Sequence, residues 1–223
     1  MIQFKEIIEG TFFTHTPGYH RIPLEKRSNQ KEIDNISEKL TKNTIPHDID
    51  TEDLDHIKNY SNGSISKQLN KHLIDNGEKG LKYQRNIYGK SDIYQVHKAI
   101  LKNVRPLGMN VDLYSGVSRD LADKVKPRSI LHSPAHISVT HSKDIAFFHS
   151  QLNAPADSTY HVFHIHAKAK DKGLHMENHS HFPGEYETIL PAGTKLKHYK
   201  TSHHEESDDK IIVHHFKIHS QDA

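Results

Sequence analysis

Three short stretches bring together residue types that can do chemistry. In Phe182-Pro183-Gly184-Glu185-Tyr186-Glu187 a Pro-Gly turn delivers Glu-x-Glu to the start of a strand expected over Glu185 to Leu190, and a period of two puts both carboxylates on one face. On a solvated edge such a pair is only a charged strand face. In a cleft, unequal surroundings separate the two pKa values, so that one carboxylate stabilises positive charge while the other accepts a proton. The second stretch, Ile137-Ser138-Val139-Thr140-His141-Ser142, sets the hydroxyls of Ser138 and Thr140 on one strand face and runs into a helix whose buried side is Ala146, Phe147 and Phe148. The third, Asp112-Leu113-Tyr114-Ser115-Gly116-Val117, is a strand ending at a glycine, where backbone can approach a ligand. Taken singly, the second and third also read as ordinary scaffold.

The elements that must position these residues follow from periodicity. Ile33, Ile36 and Leu40 predict a helix from Lys31 to Leu40; Leu54 and Ile57 open a second helical set, which resumes after Asn62-Gly63 with Ile65, Leu69, Leu73 and Ile74 and ends at Asn76-Gly77. Ile93, Val96, His97, Ile100 and Leu101 mark a further helix that stops before Pro106. From Asn110 onward the period is that of strands: Val111 to Val117, Ile137 to Thr140, Tyr160 to Ala167, Glu185 to Leu190, Thr194 to Tyr199 after the turn Pro191-Ala192-Gly193, and Lys210 to His219. Helices first and strands later predict an α+β domain, an antiparallel or mixed sheet packed on a helical N-terminal half. Residues 1 to about 48 are polar and punctuated by Pro17-Gly18, Pro23 and Pro46, and read as a partly irregular extension packing loosely outside a main domain of residues 49–223.

Composition narrows the chemistry. With 223 residues and no cysteine, the chain has no disulfide framework, thiol nucleophile or thiolate zinc site. That absence suits an intracellular, cytoplasmic protein. A mean hydropathy of -0.77 and the absence of a long apolar stretch predict no membrane span, and Met1-Ile2-Gln3-Phe4-Lys5-Glu6 has no signal-peptide pattern. Thirty basic side chains against 28 acidic leave a formal charge of +2, too little for a dedicated nucleic-acid surface, although the 22 histidines make the charge unusually sensitive to pH.

In this order and spacing, the three stretches resemble the mono-ADP-ribosyltransferase superfamily, and within it the arginine-modifying branch of bacterial toxins and phage-encoded enzymes. The resemblance covers roughly residues 50 to 219. It includes the helical lead-in Ile57-Lys58-Asn59-Tyr60-Ser61 with Lys67-Gln68-Leu69-Asn70-Lys71-His72-Leu73. Ser138-Val139-Thr140 is similar to the family's Ser-Thr-Ser strand, and Glu185 to Thr194 to its Glu-x-Glu strand and turn. The resemblance implies an ADP-ribosyltransferase-like split antiparallel or mixed sheet, NAD as substrate without a metal, release of nicotinamide, and transfer to arginine side chains of an acceptor protein. For a phage-encoded enzyme that acceptor would be host transcription or translation machinery in the host cytoplasm. It further implies that Glu187 holds the nicotinamide ribose, that Glu185 orients or deprotonates the guanidinium, that Ser138 braces the site, and that the loop from Lys172 to Gly184 faces the acceptor. Tyr114, Gly116, Thr140 and Phe148 would line the cofactor side. The family pattern has an arginine where this chain has Ser115, which would hold the dinucleotide; Arg119 and Arg105 are the candidate substitutes.

Other readings stand beside this one. The non-catalytic alternative is an interaction module of the same fold in which Ser115 records lost activity. His164-Ile165-His166, His175, His179-Ser180-His181, His203-His204 and His214-His215 invite a metal or an acid-dependent nucleic-acid partner, but no His-Glu-x-x-His accompanies them. A two-histidine phosphoesterase needs His-x-Ser/Thr twice, and only His136-Ile137-Ser138 supplies it in a strand setting.

Overall fold

A computed structural model of the chain describes residues 29–46, 48–88, 92–154, 159–206 and 209–221. Helix α1 (Gln30–Thr44) turns Ile33, Ser37, Leu40 and Thr44 inward, one face at spacings of three and four. Helices α2 (Thr51–Tyr60), α3 (Gly63–Tyr88) and α4 (Asp92–Asn103) follow. Asp50 caps α2, its carboxylate accepting from Glu52 N–H at 2.8 Å. Asn76-Gly77 was expected to end the third helix; instead helix resumes beyond a kink where Gly77 takes φ 63° and ψ -176°, a backbone conformation suited to glycine.

The strands are β1 (Arg105–Pro106), β2 (Val111–Val117), β3 (Ile130–His132), β4 (Ile137–Thr140), β5 (Thr159–Ala167), β6 (Lys172–His175), β7 (Glu187–Leu190), β8 (Lys195–Glu206) and β9 (Asp209–Ser220), with α5 (Arg119–Ala122) and α6 (Lys143–Leu152) between them. They form one nine-stranded sheet in the order β1-β6-β7-β4-β2-β5-β9-β8-β3, antiparallel except for β5 beside β9. Beyond Thr159 the described residues hold strands and a single 3₁₀ turn, Glu177–His179, as the α+β reading requires. The two- and three-residue strands β1 and β3 are too short to leave an alternating pattern, and β6 occupies the first four residues of the stretch from Lys172 to Gly184 expected as a loop, where pairing with β1 and β7 makes them strand.

One junction sets the functional geometry. Strand β2 pairs with β5 along its whole length, from Val111↔Ala167 to Val117↔His161, but with β4 only at Tyr114↔Thr140. The sheet is therefore split between β2 and β4. On one face a core of Val111, Leu113, Val139, Phe163, Ile165 and Phe216 takes in Leu40 of α1. On the other, Ile57, Tyr60, Leu69, Leu73 and Ile100 of α2, α3 and α4 close over Leu174 and Ile189, while α6 packs through Ala146 on Tyr114 and Val162. Helix α1 packs onto the sheet: Leu40 is fully buried, Ser37 Oγ meets His175 Nε2 at 2.8 Å, and His175 N–H donates to Thr44 Oγ1 at 2.9 Å. Residues 1–28 of the expected extension lie outside the described residues.

Candidate active site

Register carries a row of residues across the split. Glu187 on β7 is paired with Thr140 on β4, Thr140 with Tyr114 on β2, and Tyr114 with His164 on β5. Paired residues share a face, so these four side chains line the same side of the sheet, and Ser138 stands two residues along β4 on that side. Glu187 is only 2% exposed. Burial pushes its carboxyl up to about 7, while a hydrogen bond from Ser138 works in the opposite direction. The Tyr60 hydroxyl lies behind them, accepting from Ser138 Oγ at 3.5 Å and from Asn70 Nδ2 at 3.2 Å. Burial and the charge of Glu187 push its pKa upward. Among the described residues no cationic side chain pairs with Glu187.

Glu185 reaches the site by a route that differs from the expected strand face. Strand β7 begins at Glu187; Tyr186 adopts φ 52° and Gly184 φ 93°, which breaks the alternation that would have put the two carboxylates on one pleat. A left-handed non-glycine residue costs on the order of 1–2 kcal/mol, and Glu177 supplies compensation. Its two carboxylate oxygens accept from Gly184 N–H at 2.8 Å and Tyr186 N–H at 3.0 Å, while the Tyr186 hydroxyl donates to Asp34 of α1 at 3.0 Å. Glu177 and Asp34 thus shape the acid-bearing turn, a role their positions in the sequence do not announce. Burial, then the charges of Glu187 and Glu177, push the Glu185 carboxyl up to about 8. Repulsion within the pair falls on Glu185, the member that loses its proton second.

The other expected site residues are placed as follows. Tyr114 is 8% exposed, stacks on His164 with ring centroids 4.8 Å apart, and has Lys143 Nζ over its ring at 5.7 Å. Thr140 spends its hydroxyl on the start of α6, accepting from Ser142 N–H at 3.1 Å. Phe148 is half-buried on α6 with its ring edge-on to His149. Gly116 meets protein rather than open space: a Cβ there would lie 2.3 Å from Ala146 O and Ser150 N, so the glycine admits α6 to the sheet. Ser115 alternates to the opposite face from Tyr114, opposite Phe163. Arg119 opens α5 with Nε 3.7 Å from Asp123 Oδ2, and Arg105 on edge strand β1 donates to Lys102 O and Val104 O. A cation beside the row is Lys143, the first residue of α6, three positions beyond the end of β4.

The histidines pair with one another and with neighbours across strands. His164 and His166 both reach Asp112 Oδ1 at 3.0 Å, His164 Nδ1 meets His215 Nδ1 at 2.9 Å, and His97 Nδ1 meets His136 Nε2 at 3.0 Å. Among the described residues no group of three or more metal-ligating side chains could hold a metal ion, and no helix is long and apolar enough to cross a membrane.

A helical lead-in followed by a nine-stranded sheet split between β2 and β4 is a fold shared with solved ADP-ribosyltransferase toxins. The chain is similar to the solved structure of Plx2a, an ADP-ribosyltransferase toxin from Paenibacillus larvae, at 17% identity and a TM-score of 0.59 over 99% of this chain and 100% of that one. C3stau2 from S. aureus, solved with NAD, aligns at 14% identity and a TM-score of 0.63 over 85% of this chain and 96% of its own. Vis toxin, an ADP-ribosyltransferase from Vibrio splendidus, aligns at 14% identity and a TM-score of 0.59 over 89% and 88%. No protein-family profile and no curated protein matches the chain.

Proposed function

We propose that this protein is an NAD-dependent mono-ADP-ribosyltransferase that moves ADP-ribose to arginine side chains of an acceptor protein and releases nicotinamide. The observation that carries the reading is Glu187, buried at the split, braced by Ser138, and without a cationic partner among the described residues. NAD presents a cationic nicotinamide ring, and its approach favours the ionised form of a carboxyl held near neutrality. As the bond from nicotinamide to ribose breaks, its electron pair leaves with the nicotinamide and positive charge develops on the sugar, where the Glu187 carboxylate stabilises it. The acceptor nitrogen then bonds to the anomeric carbon and gives up a proton, which Glu185 takes. Support for the acceptor class comes from the Glu-x-Glu pattern and from Vis, which has been solved in complex with agmatine, a small guanidinium compound.

The test is nicotinamide release from NAD by the purified protein, with agmatine and then host-cell lysate as acceptors and mass spectrometry of the products. The proposed acceptors are proteins of the host transcription or translation machinery. Glu187→Gln is expected to abolish both release and transfer, and Glu185→Gln to suppress transfer more than hydrolysis, because water needs less help than a guanidinium in attacking the activated sugar. Equal loss of both activities in both variants would refute this division of roles. Ser115 favours a second reading, a non-catalytic module of the same fold. It predicts no nicotinamide release from the unaltered protein under any acceptor condition.

A further inference from the structure

Helix α6 lies closer to β2 than any side chain at position 116 would allow. Besides the two 2.3 Å contacts, a Cβ on Gly116 would come within 2.8 Å of the His149 carbonyl carbon, so it is the His149–Ser150 turn of α6 that rests on the strand bordering the split. The side chain delivered to the site by this close approach is His149. It is 9% exposed, and its Nε2 lies 3.9 Å from Glu185 Oε1. The Phe148 ring stands at 70° to it with centroids 5.5 Å apart.

We propose that His149 is the positioning residue for Glu185: a neutral imidazole whose Nε2–H donates to the Glu185 carboxylate, aiming it at the acceptor nitrogen and favouring its ionised form. The inference rests on the transferase reading above. The separation is about 1 Å longer than a hydrogen bond, and catalytic hydrogen bonds commonly tighten to full length only in complex with substrate. Burial pushes the His149 pKa down to about 4, so the ring is neutral at neutral pH and offers a donor without a charge. This distinction has a chemical consequence. A lysine or arginine here would form a lasting ion pair and remove the basicity of Glu185, whereas a neutral donor lowers its pKa in part and leaves it able to take a proton. The other titratable groups facing Glu185 are Glu187 from β7 and Glu177 from the 3₁₀ turn, and both oppose its ionisation. His149 is the group on the third side, from α6, that favours it.

The experiment compares His149→Phe, which keeps a ring but no donor, with His149→Gln, which restores an N–H. Transfer to agmatine and nicotinamide release are followed from pH 6 to 9.5. In His149→Phe the rise of transfer with pH is expected to move up by about one unit, lowering transfer about tenfold at pH 7 but only slightly at pH 9.5, and the ratio of transferred to hydrolysed ADP-ribose falls. His149→Gln returns the rise toward its original position. Equal losses at every pH in both variants, or an unmoved rise in His149→Phe, would overturn the proposal. Two NMR measurements decide the hydrogen bond without activity. The ¹³C titration of the Glu185 carboxyl is expected to move up in His149→Phe and to return toward its original position in His149→Gln, and ¹⁵N spectra of the unaltered protein to show His149 protonated on Nε2. A ring protonated on Nδ1 alone sinks the idea even if no variant folds. Absence of nicotinamide release by the unaltered protein would instead remove the transferase reading and leave the hydrogen bond to be judged by these spectra.

Discussion

Replacing Glu187 with glutamine should stabilise the protein, and the gain should grow with pH. Glu187 is 2% exposed and its carboxyl is raised from 4.5 to about 7, so the folded state holds a proton that the unfolded chain has released. For an acid whose folded pKa is raised, the associated stability is fully present below the unfolded value and is lost as pH rises through the folded one. Each pKa unit corresponds to about 1.4 kcal/mol, so ionising Glu187 in place removes up to about 3 kcal/mol by pH 9 but under about 1 kcal/mol at pH 5. Glutamine never ionises, and its amide oxygen still accepts from Ser138. In a domain of this size about 3 kcal/mol is a shift of roughly 6–12 °C in melting temperature. Thermal melts of both proteins from pH 5 to 9, followed by circular dichroism, should diverge as pH rises, the variant being the more stable. A gap that is constant across this range, or that closes toward pH 9, would refute the claim that Glu187 is held against ionisation.

Gly116→Ala forces α6 away from β2 and should destabilise the fold by roughly 1–3 kcal/mol, a drop of several degrees in the same melts; an unchanged melting temperature would mean that the helix does not bear on the strand. Lys143, over the Tyr114 ring and without an ion pair among the described residues, is expected to take the phosphates of the dinucleotide. Lys143→Ala should raise KM for NAD about tenfold or more, the scale of one charge-assisted hydrogen bond, while Arg119→Ala and Ser115→Arg change it little; steady-state kinetics of nicotinamide release distinguish these outcomes. His149 and His214 are held down to about 4 and His175 to about 3, in each case chiefly by burial. Their folded pKa values lie below the unfolded 6.5, so the stability they contribute is present above pH 6.5 and is lost as pH falls from there toward 4. Urea unfolding between pH 7 and 4.5 should show that loss, and His175→Asn should make it shallower.

Much of the architecture was legible because it depends on local repetition. Ile33 and Leu40 at helical spacing, and Tyr160 to Ala167 in alternation, name their elements without help from the rest of the chain. The candidate site was legible as three motifs in order, since Ser138, Glu187 and Tyr114 occupy strands whose own residues predict them. What failed was local in appearance only. Alternation puts Glu185 on the Glu187 face only if the strand begins at Glu185, but Glu177 and Asp34, 8 and 151 positions away, hold Tyr186 in a left-handed conformation and turn Glu185 out of the pleat. Gly116 marks a place of close backbone approach in the sequence, but only the fold shows that the backbone of a helix beginning 27 residues later comes up against it.

The sequence by itself determined the order of helices and strands, the absence of thiol chemistry, and the residue types present at the site. Side-chain period, the lack of cysteine and the Glu-x-Glu spacing are properties of the chain whatever its shape. Tertiary structure decided which of those residues meet. It paired β2 with β4 at Tyr114 and Thr140 alone and so opened the split; it buried Glu187 and raised its pKa; it brought His149 and Lys143 to the site from one helix and left Arg105 on an outer strand. The reason is physical. A pKa depends on the water and charge around a group, and a pairing depends on the hydrogen-bond register of strands far apart in the chain; neither is carried by a residue or by its immediate neighbours.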